Sequence, residues 1–247
     1  MDFTGVRWRI AGINHQAWLL EASHGGMDLY PEIRRRSREA MEGLGNRVRH
    51  EMMQKFGYYV TESSHHTAEY VPYFIKNAYP ELPEKYRFRL DDYLRRCENQ
   101  IAGWNSLRDS LLAQDELAHT RTGEYASWII EAMEGGAPAS FGGNVLNTGL
   151  ITNLPAEAVV EVPCLADGNG ISPCYAGPLP EQCAALNRNM INVQLLTIQA
   201  ALTRKKENIY HAALLDPHTA AELPMDDIVR LVDAMIEAHG GWLPQYE

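Results

Sequence analysis

The sequence predicts an α+β domain, and three observations carry that prediction. The opening run VRWRIAGI alternates and is rich in β-branched and aromatic residues. Residues 90–112 repeat apolar side chains at helical spacing. Between residues 139 and 176 the texture changes to short β-prone runs and tight turns, after which helical spacing returns.

Taken in order, the first strand runs into a loop at Asn14-His15. A helical stretch covers residues 32–56, loosened by Gly43 and Gly45. In the next helix Leu90, Leu94, Cys97, Ile101, Trp104, Leu107 and Leu111 recur three or four apart and form one apolar face. A further helix spans residues 124–133 and stops at Gly135-Gly136. The strand region holds AVVEVPCLA and the turn ADGNGI. Residues 180–203, 205–215 and 226–239 are helical, with a break at Asp216-Pro217. No internal repeat or low-complexity tract is present in the sequence.

Composition bounds the function. With 247 residues, 45% of them apolar and 22% charged, the chain can bury a substantial core. A formal net charge of -10 repels phosphates and excludes nucleic acid as a partner; Arg34-Arg35-Arg36-Ser37-Arg38 is short and reads as a solvated helix face. Neither a run of eighteen apolar residues nor a secretory pattern is present, so a cytoplasmic protein without a membrane partner is expected. Cys97, Cys164, Cys174 and Cys183 match neither a zinc motif nor a disulfide framework, and reduced core thiols are expected.

Two polar clusters bear on chemistry. His15 lies among Ile13, Ala17 and Trp18, where an imidazole is either a hydrogen-bonded core residue or a metal ligand, and the adjacent Asn14 amide can hold a sugar hydroxyl. GYYVTESSHHTAEY concentrates two histidines, three tyrosines, four serine or threonine hydroxyls and two carboxylates. It is either a polar loop with a helix cap at Ser63 or Ser64, or a sugar-facing wall whose phenol acts as a base, which requires a lowered pKa. His211 and His218 read as surface or packing residues, and Glu161, in the strand run EVPC, needs a partner. The sequence contains no GxSxG, HExxH, glycine-rich phosphate loop or twin CxxC.

The ordered blocks AGINHQAW, GYYVTESSHHTAEYVPYFIK, NTGLITNLP, VVEVPCLADGNGISP, LLDPHTAAEL and AHGGWLP resemble glycoside hydrolase family 4, and most of all its α-galactosidase branch. The resemblance runs in order through all 247 residues. It implies a fold like the C-terminal domain of lactate and malate dehydrogenases, with long helices packed on a small, mostly antiparallel sheet. It also implies that residues 1–247 are the substrate and metal domain, with the N-terminal Rossmann domain that binds NAD absent.

The family's chemistry departs from hydrolysis by two carboxylates. NAD⁺ takes hydride from carbon 3 of the sugar, a base removes the acidified proton on carbon 2, and the glycosidic oxygen leaves by elimination. Water then adds and the ketone is reduced, while Mn²⁺ or another divalent metal polarises the oxygens on carbons 2 and 3. By this resemblance His15 is a metal ligand, Asn14 contacts substrate, and Tyr58, with Tyr59 as the alternative, is the base. The family's ligating cysteine and the aspartate acid beside it belong to the Rossmann half and have no counterpart here. The expectation is an α-galactosidase-like glycosidase that needs a separate N-terminal half chain for turnover, or that acts as a homo-oligomer. An inactive structural or oligomerisation module is the alternative, and a hydroxy-acid dehydrogenase is a weaker third reading that rests on fold analogy.

Overall fold

The computed structural model describes residues 5–40, 46–113 and 123–247. Among them, strands β1 (Val6–Ile13), β2 (Gln16–His24), β3 (Met27–Asp28), β4 (Tyr59–Val60), β5 (Ala139–Leu146), β6 (Val159–Asp167) and β7 (Gly170–Pro173) form one sheet. Its path is β3-β2-β1-β6-β5, with β4 on β2 and β7 on β6, and every pairing is antiparallel. The α+β class with a small antiparallel sheet is therefore as the sequence predicts.

Alternation explains the central strands. On β6, Val160, Val162, Cys164 and Ala166 are buried while the residues between them are more exposed, as a period of two requires. Ile13, Trp18, Met52, Ile151 and Ile191 are essentially inaccessible, and burial of each such side chain contributes roughly 1.5–3 kcal/mol. The core joins β1, β2 and β6 to helix α2 (Arg47–Phe56) and to the long helix α7 (Glu181–Thr203), which packs against β1.

The stretch 32–56 forms two helices, α1 (Tyr30–Ala40) and α2, rather than one, and Gly43 and Gly45 lie outside the described residues. Asn46 enters α2 with φ 72, a conformation that asparagine tolerates and that breaks helical continuity. Short helices α3 (Ser64–Glu69) and α4 (Leu82–Tyr86) follow, then α5 (Asp92–Leu112) and α6 (Ala126–Met133). The last third holds α8 (Lys206–Leu215), α9 (Pro217–Glu222) and α10 (Met225–His239), with Asp216 capping α9 through Thr219 N–H at 2.8 Å.

Helix α5 forms where its periodicity predicts, yet no residue of it is buried; Leu94, Ile101, Trp104, Leu107 and Leu111 all face outward. An amphipathic pattern records that a face is apolar, not what covers it. The four cysteines are free, but only Cys164 and Cys183 are buried; Cys97 is half-buried and Cys174 exposed, so the expected core setting holds for two of them. No described helix is long and apolar enough to cross a membrane.

Two asparagines, Asn147 buried and Asn153 exposed, explain sequence blocks with no chemistry of their own. Asn147 donates to the carbonyls of Ile151, Leu154 and Pro155 at 2.9–3.0 Å and accepts Ile151 N–H, which folds NTGLITNLP into a fixed loop. Asn153 and Leu179 exchange two 2.9 Å bonds that tie this loop to the start of α7.

Candidate functional site

The site is assembled by the β1–β2 hairpin and the strand that pairs beside it. Ile13 and Gln16 pair across a two-residue turn, which leaves Asn14 and His15 at its tip. His15 has φ 64, the left-handed region that glycine and asparagine occupy most readily. Side chains held in this region cost on the order of 1–3 kcal/mol and cluster at functional sites. Gly12 sits one pair down the hairpin, and a Cβ there would lie 2.5 Å from Ala17 Cα and Gln16 O, so the two strands meet at glycine distance.

β4 pairs Val60 with Trp18 and Tyr59 with Leu19, and Thr61 N–H continues the ladder to Ala17 O at 2.9 Å. That register carries Glu62 to the hairpin tip. Arg49 fixes the segment: Nε donates to Val60 O at 2.9 Å, Nη2 donates to Thr61 O at 3.0 Å, and the guanidinium lies 4.4 Å over the Tyr59 ring. Ser63 then caps α3 by accepting His66 N–H, the first of the two cap candidates, and the helix turn brings His66 back beside Glu62.

Three ligand-type side chains meet there. His15 Nδ1 is 2.9 Å from Glu62 Oε2, and His66 Nδ1 is 3.4 Å from Glu62 Oε1. The two imidazole centroids are 4.1 Å apart, and the Tyr70 ring stands edge-on to His15 at 6.0 Å. Among the described residues, His15, Glu62 and His66 form a group whose ligand atoms all lie within 4.8 Å of one another. Imidazole plus carboxylate suits a divalent ion of the Mn²⁺ or Zn²⁺ type, so the donor chemistry fits a metal.

The electrostatics separate two carboxyls. Burial pushes Glu62 up, but the Ser63 N–H and both imidazoles outweigh it and hold the group at about 2. Glu161, on β6 beside Gly12, is pushed above the usual carboxylate range by burial and by the charge of Glu62, with His15 opposing.

The candidates from sequence divide. His15 sits at the centre of the cluster. Asn14 projects elsewhere, exposed at an apolar groove lined by Ile191, Leu195 and Ile198. Tyr58 packs edge-on against Tyr30 at 6.0 Å and lines a separate open cleft with Glu21, Asp28 and Arg34. Tyr59 lies under Arg49, and burial raises its pKa, opposite to the lowered value a phenolic base requires. The phenol nearest His15 is that of Tyr70, itself raised by burial and by Glu69 and Glu62. Glu62, His66 and Tyr70 were within the block read as a polar wall, but nothing in their spacing pointed to His15. A small cleft of about 240 Å³ opens beside His66, lined also by Ser63, Glu69, Arg89, Asp91 and Arg96. His211 is exposed and His218 half-buried, consistent with surface and packing roles.

An antiparallel sheet flanked by long helices, with an imidazole–carboxylate cluster at a hairpin tip, defines an α+β domain with a candidate metal centre. The chain belongs to glycosyl hydrolase family 4: the model of the family 4 glycosyl hydrolase C-terminal domain matches residues 10–219. It is 59% identical over 248 residues to an alpha-galactosidase of Bacillus subtilis, covering 100% of this chain and 57% of that protein. An alpha-galactosidase of Rhizobium meliloti is 31% identical, with 96% of this chain and 50% of that protein covered. A solved structure of lplD from Bacillus subtilis superposes with a TM-score of 0.82 at 26% identity, covering 93% of this chain and 55% of that one. The fold is also that of a 6-phospho-alpha-glucosidase from gut microorganisms solved with NAD and Mn²⁺, with a TM-score of 0.75 at 21% identity, over 100% of this chain and 57% of that one. The chain spans about half the length of the curated relatives it matches.

Proposed function

We propose that this chain is the substrate- and metal-facing part of an NAD- and divalent-metal-dependent α-galactosidase, acting on O-glycosidic bonds in the cytoplasm. The observation that carries the reading is the His15 imidazole, held in a left-handed conformation on a hairpin tip and met there by Glu62 and His66. The 59% identity to an alpha-galactosidase supports the sugar, and the donor set supports a divalent ion.

When bound, the metal polarises the sugar oxygens next to the reacting carbons, and NAD⁺ accepts hydride reversibly from carbon 3. The sequence holds no glycine-rich phosphate loop, so no dinucleotide contact is assigned to residues of this chain. Its residues supply the other parts. His15 anchors the metal, and the cleft beside His66 takes the sugar ring. A phenol receives the proton from carbon 2. Resemblance gives that role to Tyr58 or Tyr59; the ring contact with His15 favours Tyr70, whose pKa burial raises and a divalent ion held by His15 would lower. Asn14 stands in the resemblance as a substrate contact, but it lies exposed at a separate groove with Ile191 and Leu195, away from the cleft beside His66.

The test combines this chain with the N-terminal half of the related Bacillus alpha-galactosidase, and assays an aryl α-galactoside with NAD⁺, Mn²⁺ and reductant. Turnover by the mixture and by neither half alone, abolished by His15→Ala, is expected. Robust turnover by this chain alone would overturn the division of labour, and an inactive mixture of folded halves would overturn the galactosidase reading. Tyr58→Phe, Tyr59→Phe and Tyr70→Phe, compared in the active mixture, identify the base.

One observation favours a second reading, an assembly module. The outward stripe of α5 offers five large apolar side chains, which suits contact with a second copy or with an N-terminal half of the kind its relatives carry. Sedimentation of the chain alone, and with that half, separates the two.

A further inference from the structure

We propose that Glu62 is a positioning residue: its Oε2 accepts the Nδ1–H of His15 at 2.9 Å, which fixes His15 as the tautomer whose Nε2 is free for a metal. The proposal rests on the reading of His15 as a metal ligand, but its own evidence is the hydrogen-bond pattern.

A carboxylate accepts and does not donate, so the 2.9 Å contact requires the proton on His15 Nδ1. In the neutral ring this leaves the lone pair on Nε2, the atom a divalent ion can take. Metal-binding histidines characteristically give their second ring N–H to such a carboxylate, which orients the ring and raises its basicity. Glu62 is itself held from three directions. Ser63 N–H donates to Oε1 at 2.6 Å, His66 Nδ1 lies 3.4 Å from the same oxygen, and the register of β4 on β2 sets the backbone. Only Oε2 is left for His15, and its direction is thereby fixed.

The hairpin explains why such a partner is required. On a two-residue turn with residue 15 in the left-handed region, the His15 side chain keeps 33% of its surface exposed, so a polar partner is needed to fix its two side-chain torsions. Freezing a side chain of this kind costs about 1 kcal/mol, and one charge-assisted hydrogen bond offsets it. His66, tilted by 36° with its centroid 4.1 Å away, lies against one side of the ring.

The experiment reads tautomers directly. Two-bond proton–nitrogen correlation spectra of the ¹⁵N-histidine-labelled 247-residue chain, at about pH 8 where imidazoles are neutral, report which nitrogen of His15 carries the proton, with His15→Gln identifying the signal. The expected wild-type result is Nδ1–H with an unprotonated Nε2. Glu62→Ala should shift His15 toward the Nε2–H form that free histidine favours, and should weaken Mn²⁺ binding, measured by electron paramagnetic resonance, by about 10–100-fold. Glu62→Gln keeps one acceptor oxygen and the fold, so it should retain the His15 tautomer and lose less affinity; it also serves if Glu62→Ala does not fold.

An Nε2–H tautomer in the wild type overturns the proposal, as does a tautomer unchanged in Glu62→Ala. So does Zn²⁺, used as a diamagnetic probe, bound through Nδ1 of His15, because Glu62 would then be a ligand rather than an orienting group. If the tautomer is fixed as stated but neither metal perturbs the ring, Glu62 retains its positioning role and the metal-ligand reading of His15 is what fails.

Discussion

Trp18 and Asn187, 169 residues apart and both inaccessible to solvent, are joined by a 3.1 Å hydrogen bond from the indole Nε1 to the amide oxygen. The same Asn187 donates through Nδ2 to Gln16 O at 2.7 Å and to Gln16 Oε1 at 3.0 Å. One side chain of α7 therefore bonds Trp18 and Gln16, the buried residues just behind the hairpin tip that carries His15, although Gln16 Nε2 keeps no partner. Asn187→Ala strands the indole N–H and the Gln16 carbonyl, and should cost about 3 kcal/mol in urea unfolding, since each unsatisfied buried group costs roughly 1–3 kcal/mol. Asn187→Leu combined with Trp18→Phe should cost less than the sum of the single changes.

The left-handed backbone at His15 makes an opposite prediction. Glycine adopts φ 64 without steric cost, so His15→Gly should leave thermal stability unchanged or raise it by about 1 kcal/mol while removing metal binding. A large loss of stability would mean that the imidazole belongs to the core rather than to the site.

Glu161 gives a pH signature. Its folded pKa is raised above the unfolded one, so the unfolded state releases the proton first and stability falls as pH rises from the ordinary carboxylate value through the folded one. Glu161→Gln removes that loss. It should be more stable than the wild type at about pH 7 and equal to it at about pH 3, well below the ordinary value. Equal stability at both pH values would show that the carboxyl is not destabilised by its surroundings.

The α5 stripe is testable by charge. Ile101→Glu with Leu94→Glu should change the melting curve of the lone chain by no more than about 0.5 kcal/mol, because both side chains face solvent. Any self-association, or capture of an N-terminal half, through this face should be lost in the same variant, as seen by sedimentation.

The fold was largely legible because its signals are local. The alternation of β1, the tip at Asn14-His15, the strands of 139–176 and the last three long helices all follow from spacing over a few residues. The site was legible only at His15. Glu62 reaches it through the pairing of β4 with β2, a non-local register that no local pattern encodes, and Arg49 holds that register from yet another helix. Tyr58 and Tyr70 look equivalent in the sequence, and only the packing of Tyr58 on Tyr30 separates them. The stripe on α5 reads as a core face because periodicity is blind to whether a partner lies in the same chain.

Gly12 contributes to the site by what it lacks. Because a single methyl there would collide with Ala17 and Gln16 at 2.5 Å, the nesting of two backbones acts as a gauge that sets how far the imidazole stands from the carboxylate opposite. A hydrogen bond of 2.9 Å tolerates only a few tenths of an ångström, so the tolerance of the site is inherited from a residue that takes no part in its chemistry. The geometry of the His15–Glu62 cluster is in that sense dimensioned in the sheet and merely read out at the tip.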